Sequence, residues 1–152
     1  MQQQQEAPGV LAFQQAVVQH KLVAGRCRKC NTLHVPPRPL CGACSSLDVA
    51  TEELSGYGRL LGVTAIHLPP TFMQREGFGR ERPYLAGVVE LDEGPRITAR
   101  IVCMDALKPE QIAIGARVMA MYSERNVDGK PRTWLAFGPA PQTHGSVLTR
   151  GA

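Results

Sequence analysis

The sequence predicts a mainly β protein made of an N-terminal helix, a small metal-stapled ribbon and a barrel of five strands. Two observations carry this reading. Cys27-Arg-Lys-Cys30 and Cys41-Gly-Ala-Cys44 are cysteine pairs separated by ten residues, and after Leu54 the chain breaks into five short runs rich in branched and aromatic residues. With 152 residues there is room for one proper core, or for a metal-stapled module beside one modest core, but not for two large domains.

Residues 1–9 are polar and contain Pro8 and Gly9, so they are expected to be a disordered end that carries no fold. From Val10 to about His20, Val10, Leu11, Phe13, Val17 and Val18 form a loose helical stripe opposite Gln14, Gln15 and Gln19, which predicts a helical element over 10–22. A helix before a small module must lay its apolar face on a second domain or on another chain.

Residues 23–50 have the layout of a rubredoxin-like zinc ribbon. A short strand enters Cys27, a return runs through Thr32 to Val35, and a second knuckle starts at Cys41. Pro36, Pro37 and Pro39 cannot continue a central strand and mark the turn between knuckles. Little core exists there without metal.

Residues 51–139 read as a barrel. The expected strands are Gly58 to His67, Tyr84 to Leu91, Ile97 to Val102, Val118 to Ser123 and Thr133 to Phe137. Asp92-Glu93-Gly94-Pro95 and Val127-Asp128-Gly129-Lys130 supply turn chemistry for two hairpins. Lys108 to Ile112 fits one helical turn, with Pro109 at its start and Gly115 after its end. Five strands with a short helix between the third and fourth are the OB-fold layout. The gap from Leu68 to Pro83 exceeds an ordinary hairpin loop. It mixes Phe72, Phe78, Arg75, Arg80 and Arg82 with Gly77 and Gly79, so contact with a partner or an anionic ligand is expected of it. Glu76 and Glu81 cut its net charge to +1. Residues 140–152 are left as a tail.

The chemistry is concentrated in the cysteines. Two residues between paired cysteines let both sulfurs of a knuckle face one ion, and two knuckles complete a tetrahedron with Zn–S of about 2.3 Å. Cys27, Cys30, Cys41 and Cys44 are therefore the expected metal ligands. A closed shell of four thiolates leaves no position for water or substrate, so the zinc is expected to be structural. Iron is chemically compatible with the same four ligands. A redox-active pair would need a thioredoxin-like βαβ context, which is absent. His34, in the ribbon turn, could stand in for one cysteine. Cys103 continues the alternation Ile97, Ala99, Ile101, so it is expected on their buried face as a small apolar residue.

Nothing resembles a nucleophile elbow, a phosphate loop or a His-Glu-x-x-His helix, and no residue is assigned a catalytic role. The formal net charge is +4, and Lys21 to Leu47 holds Lys21, Arg26, Arg28, Lys29 and Arg38 without a carboxylate. This excess either neutralises a four-thiolate metal site or forms a basic docking surface. A nucleic-acid-binding module is the alternative function. The barrel offers it Tyr57, Tyr84, Tyr122, Trp134, Arg59 and Arg100, but aromatic residues make up only 5% of the chain and the basic cluster lies on the ribbon. No apolar stretch approaches the roughly 20 residues that span a bilayer, and Met1 to Glu6 is no signal sequence, so a soluble cytoplasmic chain is expected.

Taken together, several runs resemble the zinc-ribbon and OB-fold family associated with acyl-CoA enzymes, known as domain of unknown function 35. They are Leu22 through Cys30, Val35-Pro36-Pro37-Arg38-Pro39, Cys41-Gly42-Ala43-Cys44-Ser45, Ser55-Gly56-Tyr57-Gly58, Tyr84 through Arg96 and Ile114 through Val118. Asn31 departs from the glycine that often follows the first knuckle, and Ser45 directly follows the second; Asn tolerates the left-handed conformation. The resemblance implies a non-catalytic subunit that assembles with a thiolase-like enzyme as a hetero-oligomer, such as two of each chain. It implies that the subunit helps build the partner interface and the acyl-CoA channel for carbon–carbon bond formation or cleavage, with the coenzyme A thioester as a shared ligand. Synthase, aldolase, hydratase and acyltransferase partners are all compatible with it. Arg28, Lys29 and Arg38 on the ribbon and Arg75, Arg80 and Arg82 on the long loop are the residues expected to meet CoA phosphates or an acidic partner.

Overall fold

Nine residues of the N-terminal stripe coil into α1 (Val10–Val18) in the computed structural model, which describes residues 8–141. The expected disordered end and tail lie largely outside those residues. The helix stops because His20 turns left-handed at φ 58°, which lets the His20 N–H reach the Val17 carbonyl at 2.9 Å and the Lys21 N–H reach that of Ala16 at 2.8 Å. Val17 is buried and Phe13 packs on the main core, whereas Val10, Leu11 and Val18 stay 60–74% exposed.

The ribbon is a three-stranded antiparallel sheet of β1 (Leu22–Cys27), β2 (Leu33–His34) and β3 (Val49–Leu54), in the order β2-β1-β3. β3 was not legible in the sequence. Its Thr51-Glu52-Glu53 centre is poor in β-formers, and pairing along all six residues of β1 holds it in place.

Five further strands close into a barrel in the order β4-β5-β6-β8-β7: β4 (Tyr57–Ile66), β5 (Tyr84–Leu91), β6 (Arg96–Ile101), β7 (Arg117–Val127) and β8 (Lys130–Pro139). All pairs are antiparallel except β6–β8, whose parallel ladder at Arg100↔Ala136 and Ile101↔Phe137 closes the ring. With the 3-10 turn Pro109–Gln111 between β6 and β7, this is the expected OB-fold arrangement. The β7–β8 hairpin runs beyond the expected Ser123, up to Val127↔Lys130, because Asp128 and Gly129 at φ 50° and 76° form the left-handed two-residue turn that suits a twisted ribbon. Gly87 is required by packing, since a Cβ there would stand 2.8 Å from the Gly62 carbonyl oxygen and from Ile101.

Leu22, Ala24 and Leu54 of the ribbon sheet join Leu60, Leu85, Val89, Leu91, Ile101, Val118 and Phe137 in one continuous core. Each large side chain buried there contributes about 1.5–3 kcal/mol of transfer free energy. The knuckles sit apart on a small cluster of Cys27, Cys41 and Val49 with Cys44 against it.

Cys103 corrects an expectation. β6 ends at Ile101, the Val102 N–H makes a last bond to the Phe137 carbonyl at 2.8 Å, and Cys103 then takes φ 60° and is exposed. The alternation that buries Ile101 stops with the ladder. No helix among the described residues is long and apolar enough to cross a membrane.

Candidate functional site

Each knuckle is closed by the same backbone geometry. The Asn31 N–H reaches the Cys27 carbonyl at 2.8 Å and the Ser45 N–H that of Cys41 at 2.9 Å, with Asn31 and Ser45 both left-handed at φ 63° and 57°. Asn31 thus does what was expected of it, and Ser45 plays the same part in the second knuckle.

The result is a cluster in which the sulfurs of Cys27, Cys30, Cys41 and Cys44 all lie within 4.8 Å of one another. Cys27 and Cys44 are 3.6 Å apart and Cys30 and Cys41 3.5 Å. A tetrahedron with Zn–S of about 2.3 Å has S–S edges of about 3.8 Å, so the donors fit the ion in number, chemistry and spacing. Cys27 and Cys41 are buried, Cys44 is half-buried and Cys30 faces solvent. Thr32, through its hydroxyl 3.1 Å away and its backbone N–H, pulls the Cys30 thiol down to about 6. At Cys44 the Ser46 backbone N–H favours the thiolate, but burial and the neighbouring thiols outweigh it and push the group up to about 12. Four thiolates cannot gather without a cation, and a divalent ion reverses that balance.

His34 does not belong to the four-ligand cluster. Its Nε2 lies 3.3 Å from Cys41 Sγ, a hydrogen-bonding position that orients a ligand rather than replaces one. Arg26 has a role the sequence did not reveal. It forks onto Glu52 of β3, with Nη2 at 2.9 Å from Oε1 and Nε on Oε2, while Nη1 donates to the carbonyl and Oδ1 of Asn31 at 3.1 and 3.0 Å. One side chain thereby ties the first knuckle to the neighbouring strand. Only reading β3 as a strand would have signalled it.

The basic segment is balanced from that same region. Arg28 stands 3.7 Å from Asp48, Lys21 3.3 Å from Glu53, and Arg26 pairs with Glu52. Lys29 and Arg38 are exposed and form no ion pair among the described residues. The carboxylate-free run is therefore partly neutralised by the stretch that follows it.

Arg75, Arg80 and Arg82 lie on the 67–83 loop, at the barrel rather than on the ribbon. That loop is folded onto the barrel, with a short helix α2 (Thr71–Gln74) at its start. Phe72 stacks on Trp134 with ring centroids 6.5 Å apart, Phe78 meets Tyr84 edge-on at 5.9 Å, and Glu76 pairs with Arg125. The Arg82 guanidinium lies 4.9 Å from the Phe78 ring centroid, and the Arg80 carbonyl is bonded by His67 Nδ1 at 3.1 Å.

Comparison with known proteins agrees with both modules. Residues 14–50 match the rubredoxin-like zinc ribbon domain of ChsH2, and residues 51–122 its C-terminal OB-fold domain. A DUF35 domain-containing scaffold protein of Methanocaldococcus jannaschii is 34% identical over 109 residues, 71% of this chain and 72% of that one. A "Probable enoyl-CoA hydratase alpha subunit" of Thermomonospora curvata is 36% identical over 126 residues, 83% of this chain but 36% of that longer protein. The solved structure of the Ltp2-ChsH2(DUF35) aldolase superposes with a TM-score of 0.68 at 32% identity, covering 85% of this chain and 92% of the matched chain. With its zinc-ribbon cysteines clustered and its barrel closed, the chain belongs to the DUF35 family.

Proposed function

We propose that this chain is a non-catalytic subunit of a thiolase-type complex that makes or breaks carbon–carbon bonds on acyl-CoA, helping to form the partner interface and the acyl-CoA channel. The observation that carries the reading is the 32% identical likeness, over 85% of the chain, to a chain of the Ltp2-ChsH2(DUF35) aldolase. The relative named as a hydratase subunit and those named as scaffold proteins support an accessory role beside an acyl-CoA enzyme. The physical picture is consistent with it. A four-thiolate shell would hold the ribbon as a docking element without an open coordination position. The exposed Val10, Leu11 and Val18 give α1 an apolar strip that a partner would cover. Lys29 and Arg38 on the ribbon and Arg75, Arg80 and Arg82 on the loop are the cations this reading assigns to CoA phosphates or an acidic partner.

The test is a native pull-down of the tagged chain from its own cell extract at moderate salt, with mass spectrometry and an acyl-CoA thiolysis assay on the eluate. A stoichiometric thiolase-like chain, with activity that neither part has alone, is the expected result. Recovery of nucleic acid, or of nothing while fold and zinc are intact, would overturn it.

A further inference from the structure

The barrel carries a cavity well apart from the metal cluster. Between α2 and the outer face of β5, β6, β8 and β7 lies a cavity of about 420 Å³, within the roughly 300–1,000 Å³ typical of ligand pockets. Strand register explains it. Arg100 on β6 stands abreast of Ala86 on β5 and Ala136 on β8, and Ala136 abreast of Met121 on β7, so two small side chains flank one long cation. Phe72 and Met73 of α2 roof the space, and Trp134 and Met121 give it apolar walls.

We infer that this cavity binds small amphipathic monoanions, with an apolar body under α2 and a carboxylate head on Arg100. Two arginines and one glutamate line it, Arg100 and Arg125 against Glu76, which leaves one positive charge. Glu76 is committed to Arg125, whereas the Arg100 guanidinium has no ion pair or side-chain hydrogen bond among the described residues. Its guanidinium lies 4.5 Å from the centroid of the Phe78 ring. Stacking one face on a ring leaves the in-plane N–H donors free for a fork onto a carboxylate. A half-buried guanidinium stacked on one ring keeps hydrogen-bonding capacity that a carboxylate can complete. Burial pulls the Arg100 guanidinium below its ordinary pKa.

OB-folds use this general face for oligonucleotides, by stacking bases on exposed aromatic rings. Here Phe72 already stacks on Trp134 and α2 covers the platform, which favours a compact apolar ligand over a strand. The site is complete within one chain and does not depend on the acyl-CoA complex proposed above.

Trp134 is the chain's one tryptophan and lines the cavity, so its fluorescence reports occupancy in the zinc-loaded full chain. Decanoate below its micelle concentration is expected to saturate the signal and to bind about tenfold or more tighter than decanol, the worth of one charge-assisted hydrogen bond. Arg100→Gln should reduce decanoate to the affinity of decanol, and Arg100→Lys should restore part of the difference. Ser123→Phe, which fills the cavity from an exposed strand position, should abolish binding of both at unchanged zinc content and circular dichroism. The inference is overturned if decanoate does not saturate, if it binds no better than decanol, or if a deoxythymidine oligonucleotide displaces it. Should Arg100→Gln fail to fold, the decanoate-to-decanol ratio on the wild-type chain decides.

Discussion

Arg26 donates from one guanidinium nitrogen to both the backbone carbonyl and the side-chain oxygen of Asn31, while its other two nitrogens grip Glu52. The residue before the first metal ligand thus fixes the residue after the second. Partners that orient a ligand knuckle typically change metal affinity by about 10–100-fold. Arg26→Ala is therefore expected to weaken zinc binding by at least about tenfold in competition with a chromogenic chelator. Glu52→Gln should give a smaller loss, since the Asn31 bonds remain. Unchanged affinity in Arg26→Ala would mean that the knuckle holds its shape alone.

Ser45 provides a test of backbone conformation at the other knuckle. Its φ of 57° suits glycine and opposes branched residues. Ser45→Gly should keep zinc affinity and thermal stability, whereas Ser45→Val should cost about 1–2 kcal/mol, read as earlier zinc release in a chelator titration. Equal behaviour of the two variants would show that the strain is relieved elsewhere.

Metal removal should divide the molecule. Leu22, Ala24 and Leu54 are buried in the barrel core, with Leu33 and Val35 against it, while the cysteine knuckles themselves rest on a small cluster of Cys27, Cys41 and Val49 with Cys44 against it. Chelation of zinc, or replacement of Cys27 or Cys44 by Ser, should release the metal and remove hydrogen-exchange protection from residues 28–48. Protection in β4–β8 should persist. Loss of barrel protection at the same chelator concentration would show that ribbon and barrel unfold together.

What the sequence disclosed and what it withheld have the same physical origin. The cysteine spacing states a metal site outright, because only a few backbone shapes bring four sulfurs together. The Asp128-Gly129 turn and the branched runs likewise declare their strands locally. Hidden were the features that pairing alone creates: β3, whose Thr51, Glu52 and Glu53 look like loop until β1 is beside them, and hence the carboxylates that offset Lys21, Arg26 and Arg28. The parallel β6–β8 closure, which sets Arg100 against Ala136, was equally invisible in one dimension.

The Asp92–Arg117 pair makes stability depend on acid. Arg117 donates to both carboxylate oxygens, at 2.9 Å to Oδ2, and with its charge and that of Arg59 holds Asp92 below the ordinary aspartate range. A depressed carboxyl contributes stability that is complete above its unfolded value of about 3.9 and is lost as pH falls through the lower folded value. Asp92→Asn should therefore lower Tm at pH 6 slightly, because the pair is exposed, and the gap to wild type should begin to narrow below about pH 4 and shrink further as pH falls through the lower folded value. A gap that does not narrow at all as pH falls below about 4 would assign the effect to hydrogen bonding rather than charge.

Cys103 separates ligand from non-ligand thiols. It is exposed and left-handed at the end of β6, whereas the other four cysteines gather in the ribbon. Zinc-loaded protein should show one thiol that reacts quickly with Ellman's reagent, and chelation should raise the count to five. Cys103→Ser should remove the fast thiol, keep full zinc content and, in the assembled complex, leave activity standing. Cys103→Gly should be at least as stable as wild type, because glycine adopts φ 60° without a Cβ penalty. A folded, assembled Cys103→Ser complex without activity would instead assign this thiol to the chemistry.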